Sequence, residues 1–350
     1  MIRVLVVGLG QMGQSHALAY ESLSEFELVG LVNRSPVTLP QSLTHLQIDT
    51  DFTDALNRLQ PDMVAIATYS DSHASLAIQA MEAGADVFVE KPLATTVADC
   101  RAVAETAQTN GRKLMVGHIL RHHPTWQDLI SAARAMTGPY VFRLNLNQRS
   151  SGPAWEIHKA LMQTTSPIVD CGVHYVDVMC QITDAAPVEV RGMGLRLSDE
   201  IASDMYNYGH FQVLFADGSV GWYEAGWGPM MSETAHFVKD IISARGSVSL
   251  RAPRHLGSAD VEGHTAADHL ILAPTGKPET VRRYPDSPGH QALCDRQAQA
   301  MADAITHNTN LERHLTDAIR SVAVCLAADE SVRTGQPVRL EREGNSAWAI

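Results

Sequence analysis

The sequence predicts an α/β protein of two parts: an N-terminal domain with a doubly wound parallel sheet, and a C-terminal α+β domain with an open, mostly antiparallel sheet. Three observations predict it. Short apolar strands alternate with helical stretches up to about residue 118, which is typical of a parallel sheet with helices on both faces. A glycine-rich turn follows the first strand. Beyond residue 120, strands of alternating polarity replace the apolar ones, so we place the domains at residues 1–120 and 121–350.

The strands of the N-terminal half are apolar throughout, as parallel strands buried on both faces are. Residues 72–83 and 96–109 read as helices, and Gly84 and Gly111 stand where helices usually end. The predicted strands are Val4–Val7, Leu28–Val32, Met63–Ala67, Val87–Val89 and Leu114–Val116.

The C-terminal half combines strands with a few long helices. A helix is predicted from about His122 to Met136, and the turn at residues 216–219 indicates a hairpin. Residues 252–289, rich in Gly, Pro, Asp and His, read as loops around short strands. The predicted strands are 140–147, 188–197, 210–215 and 220–224, and the further helices are 169–182 and two within 292–334.

Composition excludes several classes of protein. A net charge of -12 and the lack of a dense basic stripe argue against nucleic acid as a partner. No stretch reaches 18 uninterrupted apolar residues, and no signal-peptide pattern opens the chain, so we expect a soluble, cytoplasmic protein without a membrane partner. Five cysteines without C-x-x-C spacing fit reduced thiols. The histidines lack the spacing of metal ligands, so no metal is expected.

The glycine turn after the first strand predicts a dinucleotide site. Gly8, Gly10 and Gly13 form G-x-G-x-x-G between an apolar strand and a helix, with Gln11 and Met12 inside the motif. Gly8 allows the tight turn, Gly10 lets a pyrophosphate approach the backbone, and Gly13 lets the helix pack closely on the strand. The helix N-terminus then faces the phosphates. This is the fingerprint of a Rossmann domain.

The residues after the second strand bear on the choice of dinucleotide. A site specific for NAD usually carries an acidic residue there, which binds the ribose hydroxyls. This chain has Asn33 and Arg34 instead. A neutral side chain does not repel a 2′-phosphate and an arginine could pair with it, which favours NADP. NAD remains open, because Asn33 could bind a ribose through its amide.

Two further patterns carry candidate chemistry. Lys91 follows an apolar strand within Glu90-Lys91-Pro92, at the edge of the sheet where open α/β folds bind ligands. Its ammonium group could stabilise a substrate oxygen as a proton leaves; a plain surface pair with Glu90 is the alternative. Asp170 and His174 stand four residues apart on a predicted helix and share one face. A histidine there could take a hydroxyl proton, although such a pair alone is more often a helix-surface contact.

Together these motifs resemble the Gfo/Idh/MocA oxidoreductases over nearly the whole chain. The resemblance rests on the glycine turn, Thr68 to His73 before a helix, Glu90-Lys91-Pro92, Arg121 after a strand, and Asp170-x-x-x-His174. It implies an N-terminal Rossmann domain that binds NAD(P), with contacts from Thr68, His73, Glu90 and Lys91. It also implies an open sheet in the second domain that carries a substrate wall and often an oligomer contact, hence a homo-oligomer, dimer or tetramer.

The resemblance further implies the chemistry. Members oxidise or reduce a secondary alcohol on a sugar, cyclitol or related polyol, with Lys91 and His174 handling protons and Asp170 orienting substrate. Two departures stand out. Thr68-Tyr69-Ser70 replaces the common Thr-Pro-Asn, and Thr164-Thr165-Ser166-Pro167 replaces a glycine run before the Asp170 helix.

Other side chains are secondary candidates. Arg121 is the preferred auxiliary substrate contact, whereas His122 and His123 read as structural or solvated. Trp155 and His158 could contact a sugar ring, and Trp155 could equally be core. The aromatic and polar residues of two neighbouring strands could form a subunit contact or a carbohydrate wall. They are Tyr206, Tyr208, His210, Trp222, Tyr223, Glu224 and Trp227.

The sequence therefore predicts an NAD(P)-dependent dehydrogenase or reductase that interconverts a hydroxyl and a ketone on a sugar, sugar derivative or cyclitol. Two alternatives stay open. One is an enzyme that cleaves glycosides while retaining NAD, through transient oxidation. The other is a regulator that binds a dinucleotide without turnover, against which the intact Lys91, Asp170 and His174 count.

Overall fold

The computed structural model of the chain describes residues 1–253, 256–259 and 262–340. Within the predicted loop region 252–289, residues 254–255 and 260–261 lie outside that description, as do residues 341–350 of the predicted C-terminal domain. The helices are α1 Gln11–Ser22, α2 Phe52–Leu59, α3 His73–Glu82, α4 Val97–Asn110, α5 Pro124–Met136, α6 Pro153–Leu161, α7 Pro167–Thr183, α8 His290–Thr306 and α9 Glu312–Thr334.

Two sheets are formed by the strands of the described chain. Their bounds are β1 Ile2–Val7, β2 Phe26–Val32, β3 Ile48–Asp49, β4 Met63–Ile66, β5 Asp86–Val89, β6 Leu114–Val116, β7 Val141–Gln148, β8 Pro187–Leu195, β9 Tyr208–Phe215, β10 Val220–Trp227, β11 Lys239–Ser243, β12 Gly246–Arg251, β13 His269–Pro274, β14 Thr280–Arg283 and β15 Val338–Arg339. The elements predicted from the sequence match these to within a few residues, so the pattern of apolar runs and turns predicted them well.

By contacts the chain divides into two compact units. The first contains residues 1–119 and 290–319, and the second contains residues 120–289 and 320–350. The single boundary predicted after residue 120 therefore does not account for residues 290–319. The reason lies in the core of the first unit, where Cys294, Ala298 and Met301 of α8 pack with Ala17 and Tyr20 of α1. No local sequence pattern predicts that long-range contact.

The first unit contains a six-stranded sheet in the order β3-β2-β1-β4-β5-β6, and every pair in it is parallel. Residues Val4 to Val7 of β1 are at most 3% exposed, as expected for a strand covered on both faces. The parallel arrangement brings the carboxyl ends of β1, β4 and β5 to one edge of the sheet. The glycine turn and Lys91 follow two of those ends.

The second unit contains a nine-stranded sheet in the order β14-β13-β12-β11-β7-β10-β9-β8-β15. Its pairs are antiparallel except for β10 and β7, which are parallel. Helix α7 covers the face on which Tyr223 stacks against Tyr175, with ring centroids 5.1 Å apart. This is the open, mostly antiparallel sheet that the sequence predicted.

A buried lysine lies beneath α7. Lys239 of β11 is 1% exposed, donates to the carbonyl oxygen of Asn145, and has its Nζ 4.5 Å from the centre of the Tyr175 ring and 4.7 Å from that of Phe237. Burial lowers the pKa of Lys239 well below its usual range. The unfolded chain therefore binds more protons than the folded one between the lowered pKa and the ordinary lysine value.

From this we expect the contribution of Lys239 to the free energy of unfolding to rise with pH between its lowered pKa and the ordinary lysine value. Lys239→Met removes this contribution. The free energy of unfolding of the variant, compared with that of the parent protein, is therefore expected to be lowest at high pH. Urea unfolding midpoints measured from pH 6 to 9 for both proteins check this. A variant whose stability follows pH as steeply as the parent would contradict it.

Candidate functional site

The glycine turn has the geometry that a bound dinucleotide needs. Gly8 has φ +88°, and a Cβ there would lie 2.5 Å from the carbonyl oxygen of Ala67. A Cβ on Gly13 would lie 1.8 Å from the carbonyl oxygen of Gly8, so only glycine lets α1 pack this closely. Gly10 caps α1, and a Cβ there would meet nothing within 4 Å. The turn thus leaves open space at a helix N-terminus without acidic residues, which fits a pyrophosphate.

The other residues predicted around the turn differ in their exposure. Gln11 is exposed, whereas Met12 is partly buried and packs against the core of the first unit. Asn33 is turned inward, because its Oδ1 accepts from the N–H of Leu9 at 2.9 Å and its Nδ2 donates to Ser35 O at 2.6 Å. Asn33 therefore holds the glycine turn to the end of β2. Arg34 is exposed beside it.

Thr68 and His73 hold together the loops after β4 and β5. The His73 ring is buried, with Nδ1 2.8 Å from Pro92 O and Nε2 3.1 Å from Thr68 O. Burial lowers the pKa of His73. The Thr68 hydroxyl lies 2.7 Å from that of Ser72. His73 thus ties the segment after Lys91 to the segment after β4, and the exposed Tyr69 stands beside Thr68.

Glu90 and Lys91 differ in exposure. Lys91 is half-buried, whereas Glu90 is 6% exposed and points inward. One Glu90 carboxylate oxygen lies 2.7 Å from Nε2 of His16 on α1, and the other accepts from the N–H of Lys91 at 3.1 Å. Sequence reasoning placed Glu90 among the cofactor contacts but did not single out His16, although His16 stands three residues after Gly13.

In the second unit, α7 presents Asp170 and His174 together. Ser166 caps the helix by accepting from the N–H of Val169, and Pro167 occupies its first turn. Three residues of α7 escape full burial, namely Asp170, His174 and Gln181. Because they are four and seven residues apart, they lie on one face. The sequence predicted this shared face for Asp170 and His174.

A polar cluster that sequence reasoning missed surrounds Asp170. Sγ of Cys171 lies 3.5 Å from the Asp170 carboxylate and 3.7 Å from Oε1 of Gln148. That oxygen also accepts from the Trp227 indole at 2.6 Å, and Nε2 of Gln148 lies 2.9 Å from His264. Gln148 could have been suspected, because it ends β7, but nothing local pairs it with Trp227 and His264, which lie 79 and 116 positions away.

His158 belongs to the same neighbourhood. Its ring stacks on Trp227 at 4.4 Å, and Nδ1 lies 2.8 Å from the Ser150 hydroxyl. Burial lowers the pKa of His158 to about 4, although the Asp170 carboxylate acts in the opposite sense. The ring is therefore neutral at neutral pH, and its Nε2 makes no hydrogen bond to any residue in the described part of the chain.

Two predicted substrate contacts have partners within their own unit. The Arg121 guanidinium forms a two-pronged ion pair with the fully buried Asp177, at 2.6 to 3.1 Å. The sequence predicted that the Arg121 guanidinium would be available to substrate. In the structure it is the counter-charge that a buried carboxylate needs. Trp155 is 5% exposed and its indole donates to Glu200 at 3.2 Å, so it packs as core. His123 is buried and His122 half-buried.

The aromatic strand residues divide between two faces instead of sharing one. Tyr223 and Trp227 are at most 1% exposed, on the face that carries α7. Trp222 and Glu224 alternate with them and face the other way, where Glu224 pairs in register with His210. One face therefore contributes to the Asp170 cluster, and the other is open.

The residues that the structure describes contain no group of three or more His, Cys, Asp or Glu that could hold a metal ion. They also contain no helix long and apolar enough to cross a membrane.

A parallel sheet with this glycine turn after its first strand defines a dinucleotide-binding protein of the Rossmann class. Comparison with known families identifies the particular family. Residues 2–118 match the model of an oxidoreductase family with an NAD-binding Rossmann fold, and residues 133–238 match the GFO/IDH/MocA C-terminal domain. The chain belongs to the Gfo/Idh/MocA family and is an NAD(P)-dependent oxidoreductase, which confirms the resemblance seen in the motifs.

Individual relatives agree with this. The chain is 25% identical over 351 residues to scyllo-inositol 2-dehydrogenase (NAD(+)) of Bacillus subtilis, covering 97% of this chain and 96% of the relative. It is 27% identical over 182 residues to inositol 2-dehydrogenase of Salmonella typhimurium, covering 50% and 52%. An oxidoreductase structure from Agrobacterium radiobacter, in complex with NAD+, L-tartaric acid and magnesium, has a TM-score of 0.77 at 16% identity over 97% and 98% of the chains. That likeness confirms the predicted fold class.

Proposed function

We propose that this oxidoreductase interconverts a secondary hydroxyl and a ketone on a sugar, sugar derivative or cyclitol. The observation that supports it most is the pair of partly exposed polar side chains on α7. Asp170 and His174 share one face of this otherwise mostly buried helix, and in the first unit Lys91 follows a strand at the sheet edge that carries the dinucleotide turn. The names of the inositol dehydrogenase relatives support the same substrate class.

In the proposed reaction, Lys91, His174 and Asp170 have separate roles. A bound nicotinamide would supply the acceptor or donor of hydride. His174 takes the hydroxyl proton, and the Lys91 ammonium stabilises the charge that develops on the oxygen. Asp170 orients the substrate through a neighbouring hydroxyl. In reduction the same groups return the proton.

The polar cluster suits a ligand rich in hydroxyl groups. Ser150 and Trp227 hold the His158 ring, and the ring is neutral above about pH 5 because burial lowers its pKa to about 4. A neutral imidazole can donate to or accept from a hydroxyl, whereas it offers no charge to an anionic ligand. We propose that His158, next to Asp170, binds a further substrate hydroxyl.

A screen of sugars and cyclitols with NAD and NADP, read as reduced nicotinamide, tests the proposed function. Steady turnover of at least one polyol is expected. Two other results would overturn it. Cofactor that copurifies and glycoside cleavage without net reduction would indicate the NAD-retaining enzyme. Cofactor binding without turnover of any polyol would indicate a regulator.

The preference for NADP rests on the exposed Arg34 and on the absence of a carboxylate at Asn33. If Arg34 pairs with the 2′-phosphate, Arg34→Ala removes a charge-assisted hydrogen bond of about 1.5 to 3 kcal/mol. We expect kcat/KM with NADP to fall roughly tenfold to a hundredfold, while kcat/KM with NAD changes little. Kinetics with both cofactors check this, and an unchanged ratio would contradict it.

The open face of the second unit's sheet is proposed as a contact between copies of the chain. Leu214 of β9, Val220 of β10 and Val141 of β7 are 42%, 42% and 40% exposed and pair in register across three neighbouring strands. Large apolar side chains grouped in this way usually mark an interface. We expect a dimer or tetramer by light scattering, and dissociation on Val220→Glu with Leu214→Glu. A monomeric parent protein would contradict this.

A further inference from the structure

Directly behind Lys91 lies a buried pair of side chains that joins it to the dinucleotide-binding helix. His16 lies on α1, five residues after the helix begins, and its side chain is 1% exposed. Its Nε2 is 2.7 Å from Oε1 of Glu90, while Oε2 of Glu90 accepts from the N–H of Lys91 at 3.1 Å. One carboxylate thus binds both the cofactor helix and the backbone of the candidate catalytic lysine.

The rest of the His16 ring lies in buried, aromatic surroundings. Its Nδ1 is buried and has no hydrogen-bond partner among the residues that the structure describes, and the ring lies against Phe88 with centroids 4.7 Å apart. The contact between Nε2 and Glu90 is therefore the polar contact that fixes the ring, and it ends one residue before Lys91.

A glycine lies against the Glu90 carboxylate, which also contacts His16 and the backbone of Lys91. Gly117 follows β6, the strand next to β5. A Cβ on Gly117 would lie 2.9 Å from Oε1 and 3.0 Å from Cδ of Glu90. The carboxylate occupies the space in which any other side chain would begin, so α1, the Lys91 backbone and Gly117 together fix its position.

We propose that His16 and Glu90 are positioning residues for Lys91. Through Glu90, His16 holds the backbone at Lys91 and so orients the Lys91 ammonium group. His16 also connects the position of Lys91 to the helix whose N-terminus binds the dinucleotide. The proposal rests on the proposed function, in which Lys91 acts on the substrate oxygen. It assigns to His16 a role in the reaction without contact with substrate.

Three variants test it. His16→Ala removes the donor, and Gly117→Ala displaces the carboxylate from the opposite side without touching His16 or Lys91. Because a displacement near 1 Å can cost about a hundredfold in rate, we expect kcat to fall roughly tenfold to a hundredfold in both, with cofactor Kd and substrate KM little changed. In His16→Gln an amide N–H can replace Nε2, so most of the lost kcat should return.

A matched control is Tyr20→Phe. Tyr20 stands one turn further along α1, its ring stacks near that of His16, and its hydroxyl has no partner within the described residues. Removing that hydroxyl alters the same pocket without altering Glu90, so kcat is expected to stay unchanged.

A second measurement does not depend on turnover. The rate at which an amine reagent modifies Lys91, followed by peptide mass spectrometry, is expected to change several-fold in His16→Ala and Gly117→Ala and to return in His16→Gln. Unchanged labelling with unchanged kcat overturns the proposal. Unchanged labelling with a weakened cofactor Kd overturns it as well, since His16 would then only support α1. Should Lys91→Ala retain full turnover, the proposed function fails, while labelling still decides whether His16 positions the lysine.

Discussion

Lys91→Ala is expected to lower kcat by about two to four orders of magnitude, the usual effect of removing a group that assists proton transfer or stabilises charge. Lys91 follows β5 at the sheet edge that carries the glycine turn, and its backbone is held by Glu90. The glycine turn itself stays intact in the variant. Cofactor binding should therefore survive, which fluorescence titration with reduced nicotinamide can measure beside steady-state kinetics.

Lys113→Ala is the matched control for this variant. Lys113 is half-buried in the same unit, but it precedes β6 and so lies at the opposite end of the strands, where its Nζ donates to Thr309 O at 2.8 Å. We expect it to keep parental turnover. If Lys91→Ala turned over as fast as Lys113→Ala, Lys91 would have no part in catalysis.

His174→Ala is expected to lose a similar two to four orders of magnitude in kcat, because it removes the proposed base. Asp170→Asn should cost less by itself. If the two residues serve one proton transfer, the double variant should lose much less than the sum of the two single losses, since residues that act as a unit are not additive. Kinetics of all four proteins form the cycle that checks this.

His269 provides the comparison for that cycle. It forms another Asp–His pair of the second unit, with Nδ1 2.5 Å from the Asp268 carboxylate and a quarter of its side chain exposed. His269→Ala should leave kcat unchanged. Additive losses at Asp170 and His174 would show that the shared helix face does not act as one unit.

Local signals predicted much of the fold and of the candidate site. The glycine turn and the apolar strands depend on a few consecutive residues, so the sequence is enough to predict them. The face shared by Asp170 and His174 follows from helical spacing alone. These parts of the site needed no knowledge of what packs against them.

Long-range pairings could not be predicted in this way. Arg121 meets Asp177 across 56 positions, and Asn33 turns inward because the N–H of Leu9 lies within reach, 24 positions away. The burial of Tyr223, while Trp222 on the opposite face stays partly exposed, depends on which face of the sheet α7 covers. The His16–Glu90 contact spans 74 positions. Each follows from topology, which a local pattern does not contain.

The return of α8 to the first unit has a consequence for how the protein is made. Domains that are continuous in sequence can fold as soon as they leave the ribosome. Here the first unit needs residues 290–319, so the apolar surface of α1 that α8 covers stays unprotected until most of the chain has been synthesised. The dinucleotide turn, although it lies within residues 8–13, thus belongs to a unit that is completed only after residues 290–319 have been synthesised.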